Sequence, residues 1–122
     1  MNDRTLLELA ARAAGIKARW FRVNQWRQVG GNKMKTGQED VFGTHHRKPW
    51  NPLTDDGDAL RLAVTLGLIV NPDRENQRTL VSNQAGHEYC AIYWDNLGEM
   101  AATRLAITEA AAEIGKSMGG GE

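Results

Sequence analysis

The chain has 122 residues, with 15 Lys and Arg balancing 15 Asp and Glu, a length that fits one domain burying roughly two thirds of its unfolded surface. At 41% hydrophobic residues it is too apolar to be a wholly disordered chain, yet no run approaches the ~20 consecutive apolar residues of a membrane helix. Cys90 is the only cysteine, which excludes an intrachain disulfide and a thiolate zinc cluster within one chain.

The first residues, Met1-Asn2-Asp3-Arg4, are followed by further charges at Glu8 and Arg12, unlike the basic-then-apolar layout of a secretory leader. A cytoplasmic protein with no membrane partner is expected. From about Asp3 to Ala14 the residues Leu6, Leu9, Ala10 and Ala13 fall at helical spacing, with Asn2 or Asp3 as the cap and Gly15 as the stop.

A second helix is expected after Trp50-Asn51-Pro52-Leu53, because the residue before a proline avoids the helical region. Thr54 or Asp55 offers the cap, and Asp55, Asp56 and Asp58 place negative charge at the positive end of the helix dipole. Ala59, Leu62, Ala63 and Leu66 form its buried stripe, and Gly67 ends it.

Beyond Gly67 short runs alternate with turn residues: Leu68 to Val70, Asn71-Pro72-Asp73, Arg78 to Ser82, Asn83 to Gly86, then His87 to Trp94. This pattern predicts an antiparallel meander. A third helix follows, capped by Asp95 or Asn96 with Glu99 at capping-box spacing, and it runs to a flexible tail at 119–122.

One stretch stands apart. From Lys17 to Lys48 there are eight basic residues against two acidic ones, so the neutral chain is polarised along its length. Trp20, Phe21, Trp26 and Phe42 lie in the same stretch, and Val29-Gly30-Gly31-Asn32 can turn a hairpin. Ala18 to Val23 alternates as a strand does, so Trp20 or Phe21 is expected to fill the core. The remainder reads as a basic loop or hairpin insertion at about 17–49, because loops of that length are usually functional or disordered. Order across residues 24–48 without a ligand would favour a built-in hairpin over an adaptable loop.

No enzyme signature is found. Asp55-Asp56-Gly57-Asp58 opens like a calcium loop, but Leu66 stands where the twelfth-position glutamate belongs. His45-His46 lack the spacing of paired zinc ligands on a helix, and His87 and Cys90 point to opposite sides of a regular strand. Gly115-Lys116-Ser117 lies at the end of a helix, where the amides face the wrong way for phosphate. Nucleophile elbows, Walker sequences and dinucleotide fingerprints are missing. The expectation is no catalytic residues, no metal and no cofactor.

Three blocks carry a resemblance: 3–11 with Ala14-Gly15-Ile16; 50–64; and 101–107 with 110–115. Together they resemble a group of small phage and prophage proteins of unknown function associated with an α-β-α sandwich domain. The resemblance covers about half the chain and is most specific in the central block. It implies an α+β fold, with about three helices packed on both sides of a small antiparallel sheet, in a single domain over 1–118. It also implies residence in the cytoplasm of a bacterial host. The family supplies no catalytic residues, and the 17–48 stretch is where this chain departs from its pattern.

Function is therefore expected on the basic segment. The first expectation is a non-enzymatic phage accessory protein that binds a host or phage macromolecule, with inhibition of a bacterial defence or regulatory protein as one role. The second is nucleic-acid binding. The candidate residues for either partner are Trp20, Arg22, Trp26, Arg27, Lys33, Lys35, His45, His46, Arg47, Lys48 and Trp50. Five phosphate contacts would give a log–log salt slope of about −4.5 on duplex DNA. A third class, a small-ligand or nucleotide pocket, calls for a deep pocket with Trp50 on its wall. Monomer and homodimer both remain open, an exposed sheet edge being the expected dimer contact.

Overall fold

A computed structural model describes residues 1–119; Gly120, Gly121 and Glu122 of the expected tail lie outside the described residues. Helix α1, Asp3–Ala14, begins where the Asn2 side chain accepts the Thr5 amide at 2.8 Å. It ends at Gly15, whose φ of 70° places it in the left-handed region. There the Gly15 and Ile16 amides donate to Arg12 and Ala11 carbonyls, the two bonds of a Schellman ending.

Helix α2, Asp56–Leu66, starts at Asp55, whose Oδ1 accepts the Gly57 amide at 2.8 Å and the Asp58 amide at 3.4 Å. Asp58 itself is buried. Its Oδ2 accepts the Asn51 amide at 3.0 Å and its Oδ1 takes the Arg61 guanidinium at 2.7 Å. Asn51 Oδ1 in turn accepts the Leu53 amide at 3.0 Å. The Trp50-Asn51-Pro52-Leu53 entry is thus hydrogen-bonded onto the helix it precedes.

Helix α3, Glu99–Met118, is the centre of the molecule. It packs against α1, α2 and the second of two small sheets, and Ala102, Ala106, Ala110 and Ala111 on it are wholly buried. Small side chains let neighbouring elements approach closely; a Cβ on Gly115 would collide with the Leu9 carbonyl of α1. Arg104 ties α3 to the α2 entry, donating to the Leu53 carbonyl at 2.9 Å and to Asp56 at 2.6 Å.

Antiparallel strands form two three-stranded sheets. One is ordered β1-β2-β3, from Arg19–Val29, Asn32–Thr44 and Lys48–Pro49. The other is ordered β4-β5-β6, from Ile69–Asp73, Arg78–Ser82 and Glu88–Tyr93. The chain is therefore an α+β protein with three helices packed on small antiparallel sheets, as expected. The core gathers Leu7 of α1, Phe42 of β2, Trp50, Leu62 of α2, Val81 of β5 and Ile107 of α3. A buried polar chain crosses from the second sheet to α3: the Trp94 indole donates to Thr79 Oγ1 at 2.9 Å, and Thr79 Oγ1 lies 2.7 Å from Thr103 Oγ1.

Two local expectations change. Asn71-Pro72-Asp73 continues β4 as strand instead of turning, which Pro72 tolerates because β4 is an edge. The turn falls at 74–77, where Asp73 Oδ2 accepts from the Asn76 side chain at 2.8 Å and from Arg78 at 3.1 Å. The third helix is capped by Gly98 with no side-chain bond, because Asn96 takes a left-handed φ of 67° and the chain closes a further turn from Gly98 to the Trp94 carbonyl.

Candidate functional site

The basic segment folds as a long two-stranded ribbon. Gly30 and Gly31 connect β1 to β2 with Val29 opposite Asn32. Only the first of the two glycines has positive φ, 63°, the pattern of a II′ turn whose twist matches the strands it joins. The register then holds from Val29/Asn32 to Arg19/Gly43 with one shift, at Gln25/Trp26, where Thr36 is the extra residue of a bulge.

At its root the ribbon belongs to the core. Trp20 and Phe42 pair across the strands with ring centroids 4.9 Å apart, and Phe42 meets Trp50 edge-on at 6.0 Å. The Trp20 indole N–H donates to Glu8 of α1 at 3.1 Å, and the Arg4 guanidinium covers its ring at 3.9 Å. Gly43 keeps the other side tight, since a Cβ there would stand 2.5 Å from the Phe21 ring. Outward from Arg22, every β1 residue is exposed. This distal half is an arm with solvent on both faces; an isolated hairpin is marginal in water, so the anchored root matters.

Cross-strand partners share a face, and the faces alternate along each strand. The register therefore sorts the arm into two chemistries. One face carries Arg22/Asp40, Asn24/Gln38, Trp26/Lys35 and Gln28/Lys33. Trp26 is 58% exposed on it, the Gln38 amide donates to Asn24 at 2.9 Å, and no carboxylate lies beyond Asp40. The other face carries Phe21/Val41, Val23/Glu39, Gln25/Gly37, Arg27/Met34 and Val29/Asn32. Val23, Val29 and Met34 are exposed there at 37%, 46% and 53%.

The candidate residues do not form one site. Trp26, Lys33 and Lys35 come together on the polar face, with Arg27 on the opposite face. Arg22 is occupied by Asp40 at 3.4 Å, and Arg4 shares the same carboxylate at 3.5 Å. Trp50 is 6% exposed and stands in the core, so it offers no ring to a partner. Trp20 is half-buried beneath Arg4 and packs against the core, as expected for one of the Trp20 and Phe21 pair. The His45 and His46 rings meet at 3.9 Å, tilted by 57°, in the short turn His45–Arg47 at the root of the arm, where His46 and Arg47 take left-handed φ of 64° and 60°. Arg47 lies over Phe21 at 5.3 Å, and Lys48 is held in β3 opposite Thr44.

An open cleft of about 780 Å³ lies beside the root, with Ile16, Trp20 and Phe42 on its walls and Lys17, Arg19 and His45 around it. Trp50 lines a separate, smaller cavity of about 250 Å³, with Asp58, Arg61 and Leu62 among its walls. Cys90 donates its thiol to the Ala106 carbonyl at 3.3 Å, and burial, with Glu109, Glu88 and Glu113 nearby, pushes its pKa up to about 12. A thiol held protonated in this way is a poor nucleophile. No group of three or more His, Cys, Asp or Glu able to hold a metal ion occurs among the described residues.

The aliphatic face was missed in sequence, although odd-numbered Phe21, Val23 and Val29 alternate with even-numbered Trp20, Arg22, Asn24 and Trp26. No family model, curated protein or solved structure matches the chain. No helix among the described residues is long and apolar enough to cross a membrane.

Proposed function

We propose that this chain is a non-enzymatic, phage-type accessory protein that binds nucleic acid through the polar face of its β1–β2 arm. The observation that supports this reading is the cluster of Trp26, Lys33 and Lys35 with the amides Asn24, Gln28 and Gln38, on a ribbon face that carries no acidic residue beyond Asp40. Lysines meet phosphates as point charges, an exposed indole stacks on any base, and side-chain amides bond to base edges. A two-stranded ribbon also has the width that a DNA major groove admits. Protein interfaces, by contrast, are depleted in lysine.

The salt slope expected from the sequence becomes smaller. With Arg22 paired and Arg47, Lys48 and Arg27 directed elsewhere, about two phosphate contacts per arm remain, for a slope of about −1.8 on duplex. Fluorescence anisotropy of labelled single-stranded and duplex oligonucleotides, titrated from low to moderate salt, tests this. Saturable binding that weakens with that slope supports the reading, and no binding at low salt sinks it.

A second reading, a host or phage protein as partner, is supported by the exposure of Trp26 itself, since tryptophan is enriched in protein hot spots. Co-purification of one protein species, lost in Trp26→Ala while oligonucleotide binding is absent, would favour it.

A further inference from the structure

The aliphatic face of the arm points away from the body. The polar face at the root is the one that packs inward, through Trp20 and Phe42, so its opposite stands clear of α1 along the arm's whole length. Val23, Val29 and Met34 on it would remain wetted in an isolated chain, on a ribbon that has little stability of its own. What covers them is indicated by the order of charges. Proceeding outward, the rows of this face are Phe21/Val41, Val23/Glu39, Gln25/Gly37, Arg27/Met34 and Val29/Asn32. The acidic and the basic row are symmetric about the Gln25/Gly37 row.

We propose that two copies of this chain dimerise by stacking these faces with their arms antiparallel, the two-fold axis passing at Gln25 and Gly37. Such an axis lays the Arg27/Met34 row of each arm on the Val23/Glu39 row of the other. The stem of Arg27 rests on Val23, its guanidinium reaches Glu39 of the second copy, and the pair occurs twice. Val29 of each arm meets the Phe21/Val41 row, where Arg47 already covers part of the ring. Gly37, with no side chain and a φ of 152°, lets the two backbones come close at the centre. The parallel arrangement would set the Arg27/Met34 row on its own copy and the Val23/Glu39 row on its own copy, which separates Arg27 from Glu39 and gathers like charges at each level. Stacked sheets sit about 10 Å apart, within reach of arginine and glutamate side chains. This interface leaves Trp26, Lys33 and Lys35 outward on both arms, so it is independent of the nucleic-acid reading and compatible with it.

The interface differs from strand-edge pairing in what breaks it. Sedimentation equilibrium of the full chain in low salt should show a monomer–dimer equilibrium. Arg27→Glu and Glu39→Arg should each weaken dimerisation by at least about tenfold, as loss and reversal of two exposed pairs would. The double variant Arg27→Glu with Glu39→Arg should recover most of that loss. Both substituted positions are exposed, and far-ultraviolet circular dichroism checks that each of the three variants retains the fold. A monomer at every accessible concentration overturns the proposal. So does a dimer indifferent to both single reversals, which would place the contact elsewhere, or a double variant no better than either single one.

Discussion

The indole N–H of Trp20 donates to the carboxylate of Glu8 at 3.1 Å, joining the root of the β1–β2 arm to the middle of α1. Trp20 at the same time pairs with Phe42 at 4.9 Å and lies under Arg4 at 3.9 Å. One side chain therefore links the arm, the first helix and the core, and the outward ribbon depends on it for its direction.

Replacing Trp20 with Ala should destabilise the fold by about 3 kcal/mol, the lower end for an aromatic truncation because the ring is only half-buried. Urea unfolding gives the magnitude. Amide exchange in β1 and β2 should rise from Trp20 outward more than in β4 to β6, and uniform loss of protection would contradict the anchoring role.

Asp58→Ala leaves the Asn51 amide without its acceptor in a part-buried position. Loss of that bond and of the Arg61 contact should cost about 2 kcal/mol. Arg61→Ala, which removes only an exposed partner of the same carboxylate, should cost well under half as much. Equal costs would mean that the ion pair, and not the bond to the helix entry, matters.

Gly115→Ala should destabilise by about 3 kcal/mol, at the upper end for overpacking, because the added Cβ meets backbone of α1 at Leu9 and not a flexible side chain. Gly31→Ala, at the tip of the arm where nothing stands within 4 Å, is the control and should be near neutral. Thermal unfolding of both variants decides the point.

The thiol of Cys90 has its pKa raised from 9.0 to about 12, first by burial and then by Glu109, Glu88 and Glu113. Below pH 9 the thiol is protonated whether the chain is folded or not, so its contribution to stability is constant. Above pH 9 the unfolded chain ionises first, and that contribution is lost as pH rises toward 12. Stability of the parent should therefore fall more steeply than that of Cys90→Ala over this window. Native protein should also react with iodoacetamide at pH 8 far more slowly than protein in denaturant.

The helices were legible because their signals are local. Asp55 caps α2, and Gly15 and Gly67 end α1 and α2 in the left-handed conformation, as side-chain chemistry and glycine placement indicate. The start of α3 was misread because the Asp95-Asn96 signal is overridden by a turn that delays the helix to Glu99. The hairpin turn could be seen at Gly30-Gly31, but the arm's two faces could not. A strand buried on one side shows apolar residues alternating with polar ones. A ribbon wet on both sides puts Trp26 with lysines on one face and Arg27 among valines on the other. The alternation within β1 stands in the sequence, but which β2 residues join each face emerges only once the register is known. Trp50 was misplaced for the opposite reason: aromatic rings near basic residues look alike in sequence whether they stack on a partner or on Phe42.

If the distal polar face of the arm is the surface that binds nucleic acid, its function rests on Trp26, Lys33 and Lys35. The most direct measurement compares the parent with Trp26→Ala, Lys33→Glu, Lys35→Glu combined, in the same low-salt oligonucleotide anisotropy titration. These side chains are exposed, so thermal stability should change little, while affinity should drop by at least about thirtyfold through lost stacking and lost phosphate contacts. A triple variant that binds as tightly as the parent would contradict the assignment.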